Sequence, residues 1–296
     1  MKRFAAYLAA LAAALAFTGC ASTTKSGAIG IERQQFLLVS SETINAQAAK
    51  GYASTVSQAK SSRKLNVDAQ QTARVKTIAN RLIAHVGHFR EDARDWEWEV
   101  NVFKDDTINA WCMPGGKIGV YTGIIDKLNL TDGELAAVMG HEIAHALREH
   151  SREQASTNVL QQIGVKLAAK AAKVDEGTVA TVAKYGFDLP FSRKHESEAD
   201  AIGLELMARA GYNPNEAVNV WRKMSAREGV QAGVVSKVKE FMSTHPSSET
   251  RIADLNAQVS TVMPLYESAP KASSTAVASR GGQQVKKTKK TKKTKK

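Results

Sequence analysis

Thr131-Asp132-Gly133-Glu134-Leu135-Ala136-Ala137-Val138-Met139-Gly140-His141-Glu142-Ile143-Ala144-His145 is the stretch on which the fold turns. Thr131 followed by Glu134 three residues on is a capping box, the reciprocal pairing that opens a helix. Leu135, Val138, Met139, Ile143, Ala146 and Leu147 then recur at helical spacing, so one stripe of this helix faces a core. His141 and His145 are four apart. On a helix such residues lie one above the other on the same face, beside the apolar stripe.

Two imidazoles so placed can aim at one metal ion. Zinc takes His nitrogens and carboxylate oxygens in tetrahedral geometry, and a catalytic site keeps one position for water. Glu142 is too far around the helix to join the His pair but close enough to reach that water, the place of a general base. His141-Glu142-Ile143-Ala144-His145 is therefore an HExxH pattern in need of a third ligand. Arg148 and Ser151 stand where the pattern HExxHxxGxxH would have its Gly and third His, so that class is excluded. His150, nine residues after His141, falls about half a turn around an unbroken helix and is expected at the surface.

About fifty residues on, Ser192-Arg193-Lys194-His195-Glu196-Ser197-Glu198-Ala199-Asp200-Ala201-Ile202-Gly203 reads as the start of a second helix. Glu196 and Asp200 share a face. Glu196 is the first choice for third ligand, with Glu198 second and His195 a weaker rival. Asp200 would accept a hydrogen bond from the distal N–H of a ligand His.

These motifs resemble the zinc metallopeptidase family of the CAAX prenyl endopeptidases and HtpX-type membrane proteases (family M48), and within it the soluble periplasmic lipoprotein branch. Asn109-Ala110-Trp111-Cys112-Met113-Pro114-Gly115-Gly116-Lys117-Ile118-Gly119-Val120-Tyr121-Thr122-Gly123 is similar to the family's NAFxxPGGxIxVxxGL hairpin. Ala210-Gly211-Tyr212-Asn213-Pro214 is similar to its AGYxP element, and Thr244-His245-Pro246 with Arg251-Ile252 to its HPxxxxRI element. Trp111-Cys112 departs from the more usual Phe-Ala. The resemblance runs from about Val67 to about Ala257. It implies one zinc ion per chain on His141, His145 and Glu196, Glu142 as base, and Asp200 as the supporting or proton-donating acid. His245 is then a candidate donor to the oxyanion, or a fourth ligand in a closed state. The fold implied is α+β, a gluzincin-like, mostly helical catalytic domain with a small sheet beside the HExxH helix.

The ends suggest where such an enzyme works. Met1-Lys2-Arg3 and the apolar run Phe4 to Phe17 are too short for a membrane span and read as a secretory signal over 1–19. Phe17-Thr18-Gly19-Cys20 is similar to a lipobox, so Cys20 is the expected lipidation site, and Ala21 after it implies the periplasmic side of the outer membrane. Only Cys112 remains as a second cysteine, which excludes a disulfide framework. The 296 residues carry a net charge of +12, but eight lysines between Lys286 and Lys296 supply most of it, and without them the charge is +4. The tail reads as disordered. On an exported chain it argues for contact with anionic envelope material or simple solvation, and against nucleic acid.

Between the ends the chain divides into a lipidated tether and packing segment (20–66), a peptidase domain (67–262) and the Lys-rich tail (263–296). Val75 to Val86 has helical periodicity, Trp96 to Val102 alternates as a strand, and a helical stretch is expected from about Ser156 to Lys184. The 154–191 stretch joins the two metal motifs as a packed helical hairpin or a lid. The expected activity is hydrolysis of unfolded, damaged or misassembled envelope polypeptides. The competing reading is a zinc-stabilised, non-catalytic or chaperone-like lipoprotein scaffold.

Overall fold

The computed structural model describes residues 20–172, 191–228, 241, 243–245 and 249–272. The expected signal (1–19), residues 173–190 of the expected lid and residues 273–296 of the expected tail lie outside the described residues, while residues 263–268, expected as disordered tail, continue a helix that runs from Glu249 to Ser268. The architecture is α+β, mostly helical with one small mixed sheet. Two short strands, β1 (Cys20–Ala21) and β2 (Gln35–Phe36), pair antiparallel at the start. Helix α1 (Ser41–Ser61) and helix α2 (Ala69–Ile83) follow, capped by Ser40 and Asp68. The segment expected as tether and packing (20–66) thus contains one 21-residue helix.

The sheet is built from β3 (Glu99–Phe103), β4 (Ala110–Met113) and β5 (Lys117–Tyr121), in the order β3-β5-β4. β5 runs parallel to β3 and antiparallel to β4. The hairpin turns through Gly115 and Gly116, whose φ of 80° and 83° only glycine adopts without strain. β5 is the buried centre and β4 is an edge. Trp96 and Trp98 sit outside β3: their rings stack on one another, the Trp98 backbone N–H donates to the Trp96 carbonyl instead of to a neighbouring strand, and the Trp98 indole N–H donates to the Ala93 carbonyl.

Helix α3 (Thr122–Leu128) leads to α4 (Asp132–Leu147), the HExxH helix. Its capping box forms as the sequence requires: Glu134 N donates to Thr131 Oγ1, and Thr131 N donates to the Glu134 carboxylate. From Glu134 to Leu147 every residue of α4 is buried. Its apolar face packs against β4 and α2, and its polar face is closed by α6 (Arg193–Arg209) and α7 (Asn215–Glu228), on which α8 (Glu249–Ser268) packs in turn.

Helices α4 and α6 cross backbone to backbone. A Cβ on Gly203 would lie 2.7 Å from His141 N, and one on Gly140 3.0 Å from Gly203 O. Two glycines at the crossing let α6 approach closely enough for its side chains to reach those of the HExxH helix. Helix α5 (His150–Ala172) starts six residues earlier than the Ser156 expected from sequence. The reason is a sharp junction: α4 stops at Leu147, and Glu149 takes a left-handed φ of 50°. No helix among the described residues is long and apolar enough to cross a membrane.

Candidate metal centre

The middle of α4 delivers His141 and His145 from one face, and their Nε2 atoms stand 3.1 Å apart. The first turn of α6 delivers Glu196, with its oxygens 3.5 Å from His141 Nε2 and 3.4 Å from His145 Nε2. His245 adds Nδ1, 3.3 Å from His141 Nε2 and 3.2 Å from Glu196 Oε1. All four side chains are buried, and one ligand atom from each falls within 4.8 Å of the others. Donors about 2.0–2.1 Å from a tetrahedral zinc stand roughly 3.3 Å from one another. The donor set and its spacings fit that ion.

Each ring is turned to offer a lone pair. His141 Nδ1 lies 2.9 Å from Asp200 Oδ1, so Nδ1–H donates there and Nε2 is left free. Asp200 is in turn gripped by Arg251, whose Nε and second terminal nitrogen each donate at 2.7 Å, and Arg251 also pairs with Glu196 Oε2 at 2.7 Å. Arg251 lies over the Trp221 ring, 4.1 Å from its centroid.

The charges agree with the geometry. Burial pushes the His141 imidazole down, but its hydrogen bonds to Asp200 and Glu196 outweigh this and lift it to about 9, so this corner favours positive charge. Burial pushes the Glu196 carboxyl up, yet three surrounding histidines hold it well below the carboxylate range, as a metal-ligating carboxylate requires. His145 is held well below its usual value by burial and stays neutral, with its lone pair available.

Glu142 is on the adjacent face of α4. Its Oε1 is buried, finds no hydrogen-bond donor among the described residues and lies 3.5 Å from His245 Nε2. Burial raises its carboxyl above the ordinary value despite the opposing pull of His245 and His141. A carboxylate with an unfilled acceptor and a raised pKa beside a metal cluster is equipped to take a proton from water. Cys112, in β4, is a free and buried thiol that burial pushes well up, so it is a packed residue and not a nucleophile.

Two of the alternatives raised by the sequence resolve by position. Glu198 points away from the cluster, into hydrogen bonds from Arg33, Arg148 and His150. His195 Nε2 pairs with Glu153 at 3.2 Å. The expectation for His150 is corrected: it is fully buried, with Nδ1 2.9 Å from His145 Nδ1. The half-turn offset assumed an unbroken helix, and the left-handed Glu149 swings the next helix back so that His150 returns to His145. Sequence reasoning also missed what Arg251 does. Its signal was its place in the HPxxxxRI element, which marks a position but not a partner.

An HExxH helix and a downstream acidic helix converging on one zinc-ligand set define a zinc metallopeptidase. Residues 69–259 match the family described as Peptidase family M48, and the chain belongs to that family. It is 41% identical over 181 residues to the mitochondrial metalloendopeptidase OMA1 of Schizosaccharomyces pombe, covering 61% of this chain and 51% of that protein. It is 39% identical over 154 residues to its Arabidopsis thaliana namesake, covering 52% and 30%. It is 29% identical over 221 residues to the beta-barrel assembly-enhancing protease of Yersinia pestis, covering 71% and 43%. The chain thus spans about half, or less, of the length of these relatives. The mitochondrial likeness is one that the motifs alone do not raise.

Proposed function

We propose that this chain is an endopeptidase that cleaves extended segments of unfolded, damaged or misassembled envelope polypeptides, with Glu142 as general base. The observation that carries the reading is the Glu142 carboxylate, buried with an open acceptor beside the His141–His145–Glu196 cluster. Zinc held by those three side chains supplies Lewis-acid polarisation of the peptide carbonyl and of the attacking water. Glu142 takes the water's proton as the carbonyl is attacked and passes it to the departing amine. His245 Nε2, close to Glu142, is placed to donate a hydrogen bond to the developing oxyanion. The strand β4, packed on the HExxH helix, is an edge of the sheet among the described residues and gives an extended substrate a strand to add to. This favours unfolded chains over a particular side chain.

A second observation supports a latched state of the same enzyme. His245 Nδ1 stands in the ligand cluster, where a fourth donor would displace water. In this arrangement His245 restrains activity, and its withdrawal precedes turnover.

The compartment is part of the proposal. The lipobox at Cys20 supports a lipid anchor on the periplasmic side of the outer membrane, and a relative named for beta-barrel assembly is consistent with that setting. The mitochondrial relatives support the peptidase class and not the compartment. The Lys-rich tail would touch anionic envelope polymer.

The test is zinc content and cleavage of an unfolded protein such as casein by the parent and by Glu142→Gln. Removing the base is expected to lower kcat by roughly 10²- to 10⁴-fold while zinc is retained. Zinc in both with cleavage in neither points to the latched state or to a scaffold, and His245→Ala separates the two: it gives weak cleavage in the first case, unlatched but without its oxyanion donor, and none in the second.

A further inference from the structure

The His145 side of the centre contains a contact that the chemistry above does not use. His145 Nδ1 faces His150 Nδ1 at 2.9 Å, and His150 Nε2 lies 3.1 Å from Glu198 Oε2. Two ring nitrogens that close share one proton, so one must donate and the other accept. Glu198 decides which. Its carboxylate is gripped by Arg33, which donates from Nε to Oε1 and at 3.1 Å to Oε2, and by Arg148 Nε at 3.0 Å. Held by two guanidinium groups, it is an acceptor only. His150 therefore carries its proton on Nε2 and presents Nδ1 as an acceptor. His145 then carries its own proton on Nδ1, which leaves the Nε2 lone pair directed into the cluster.

We infer that His150 is the positioning residue for His145, fixing its tautomer and ring orientation, and that Glu198 in turn fixes His150. The anchor of this chain lies far off in sequence. Arg33 belongs to the segment before α1, and the same segment meets Arg148 through Ser22 Oγ at 2.9 Å and the Arg33 carbonyl at 2.6 Å. Gln35, fully buried in β2, donates to the Arg148 carbonyl and to Glu153. The N-terminal segment is therefore part of the support of the metal centre and not only a tether. Arg148 is itself fully buried, which makes a purely solvating role for this network untenable.

The inference rests on His145 being a zinc ligand, and the experiment separates the two claims. In the full chain, His150→Phe keeps a ring in the slot between His145, Phe191 and His195 but removes the acceptor. His150→Asn places an amide oxygen about where Nδ1 stood. Zinc affinity, read by chelator competition on variants with parent-like circular dichroism, is expected to fall about 10- to 100-fold in His150→Phe and to recover in His150→Asn. Parent-like affinity in His150→Phe, or a His150→Asn as weak as His150→Phe, overturns the inference. A parent that binds no zinc overturns the ligand assignment instead. Side-chain ¹⁵N–¹H correlation spectra of the zinc-loaded parent read the tautomers without any variant. The proton is expected on His150 Nε2 and His145 Nδ1, and a proton on His150 Nδ1 would be fatal to the scheme.

Discussion

The two histidines of the HExxH helix are held from opposite sides by unlike devices. His141 hands its distal N–H straight to a carboxylate, Asp200, which Arg251 holds from α8. His145 hands its own to a second imidazole, His150, and the carboxylate comes one step later at Glu198. The first flank is made of neighbouring helices of the catalytic domain. The second depends on a segment more than a hundred residues upstream. Both end in arginine, and both set the same tautomer, so the ligand pair is matched by different routes. The difference teaches that the first flank should fail as a fold and the second as a site.

The largest effect is expected on the first flank. Asp200→Ala leaves Arg251, a buried guanidinium, paired with Glu196 but without the carboxylate that takes two of its N–H groups. Breaking a buried pair this way costs about 3–5 kcal/mol, and urea melts of the variant should show a loss of that size. A loss within experimental error would mean that the Asp200–Arg251 pair does not support the helix crossing.

Gly203→Ala tests the crossing that both flanks share. Its Cβ would meet His141 N at 2.7 Å, backbone that cannot yield cheaply. Overpacking of this kind costs roughly 1–3 kcal/mol, and zinc affinity should fall with it because α6 carries Glu196 away from α4.

On the second flank, Arg33→Ala should be milder. The Arg33 side chain is 28% exposed, and Arg148 still holds Glu198. The expected loss is about 1 kcal/mol in the same melts. Its pH dependence is the more telling reading. Burial pushes the Glu153 carboxyl up, but hydrogen bonds from Arg33, His195 and Gln35 outweigh this and hold it well below its usual 4.5. A carboxyl depressed on folding contributes stability that is complete above its unfolded value and lost as the pH falls below it. Stability of the parent should therefore drop on acidification below about pH 4.5. Arg33→Ala should drop less steeply over that range, and identical slopes would remove Arg33 from the account.

The two flanks also differ in how much the sequence reveals of them. His141, His145, Glu196 and Asp200 are readable because fixed spacing on a helix carries geometry, and the Thr131–Glu134 box starts that helix where it should. The α+β class follows from the same periodicities. The His145 flank is silent because periodicity describes unbroken helices only. Glu149 in the left-handed region ends that description, and the position of His150 is then set by tertiary packing. Arg33 and Gln35 lie in a segment with no regular pattern, and nothing local in it announces a partner at Arg148 or Glu198. Strand order was equally hidden, since a hairpin motif shows that β4 and β5 pair but not that β3 closes the other side of β5.

The central claim is that zinc sits between the two flanks. Anomalous diffraction at the zinc edge, from crystals of the protein purified without added chelator, tests it most directly. The account predicts one strong peak bonded to His141 Nε2, His145 Nε2 and a Glu196 oxygen. A peak elsewhere, or none from protein shown to be folded, would contradict it.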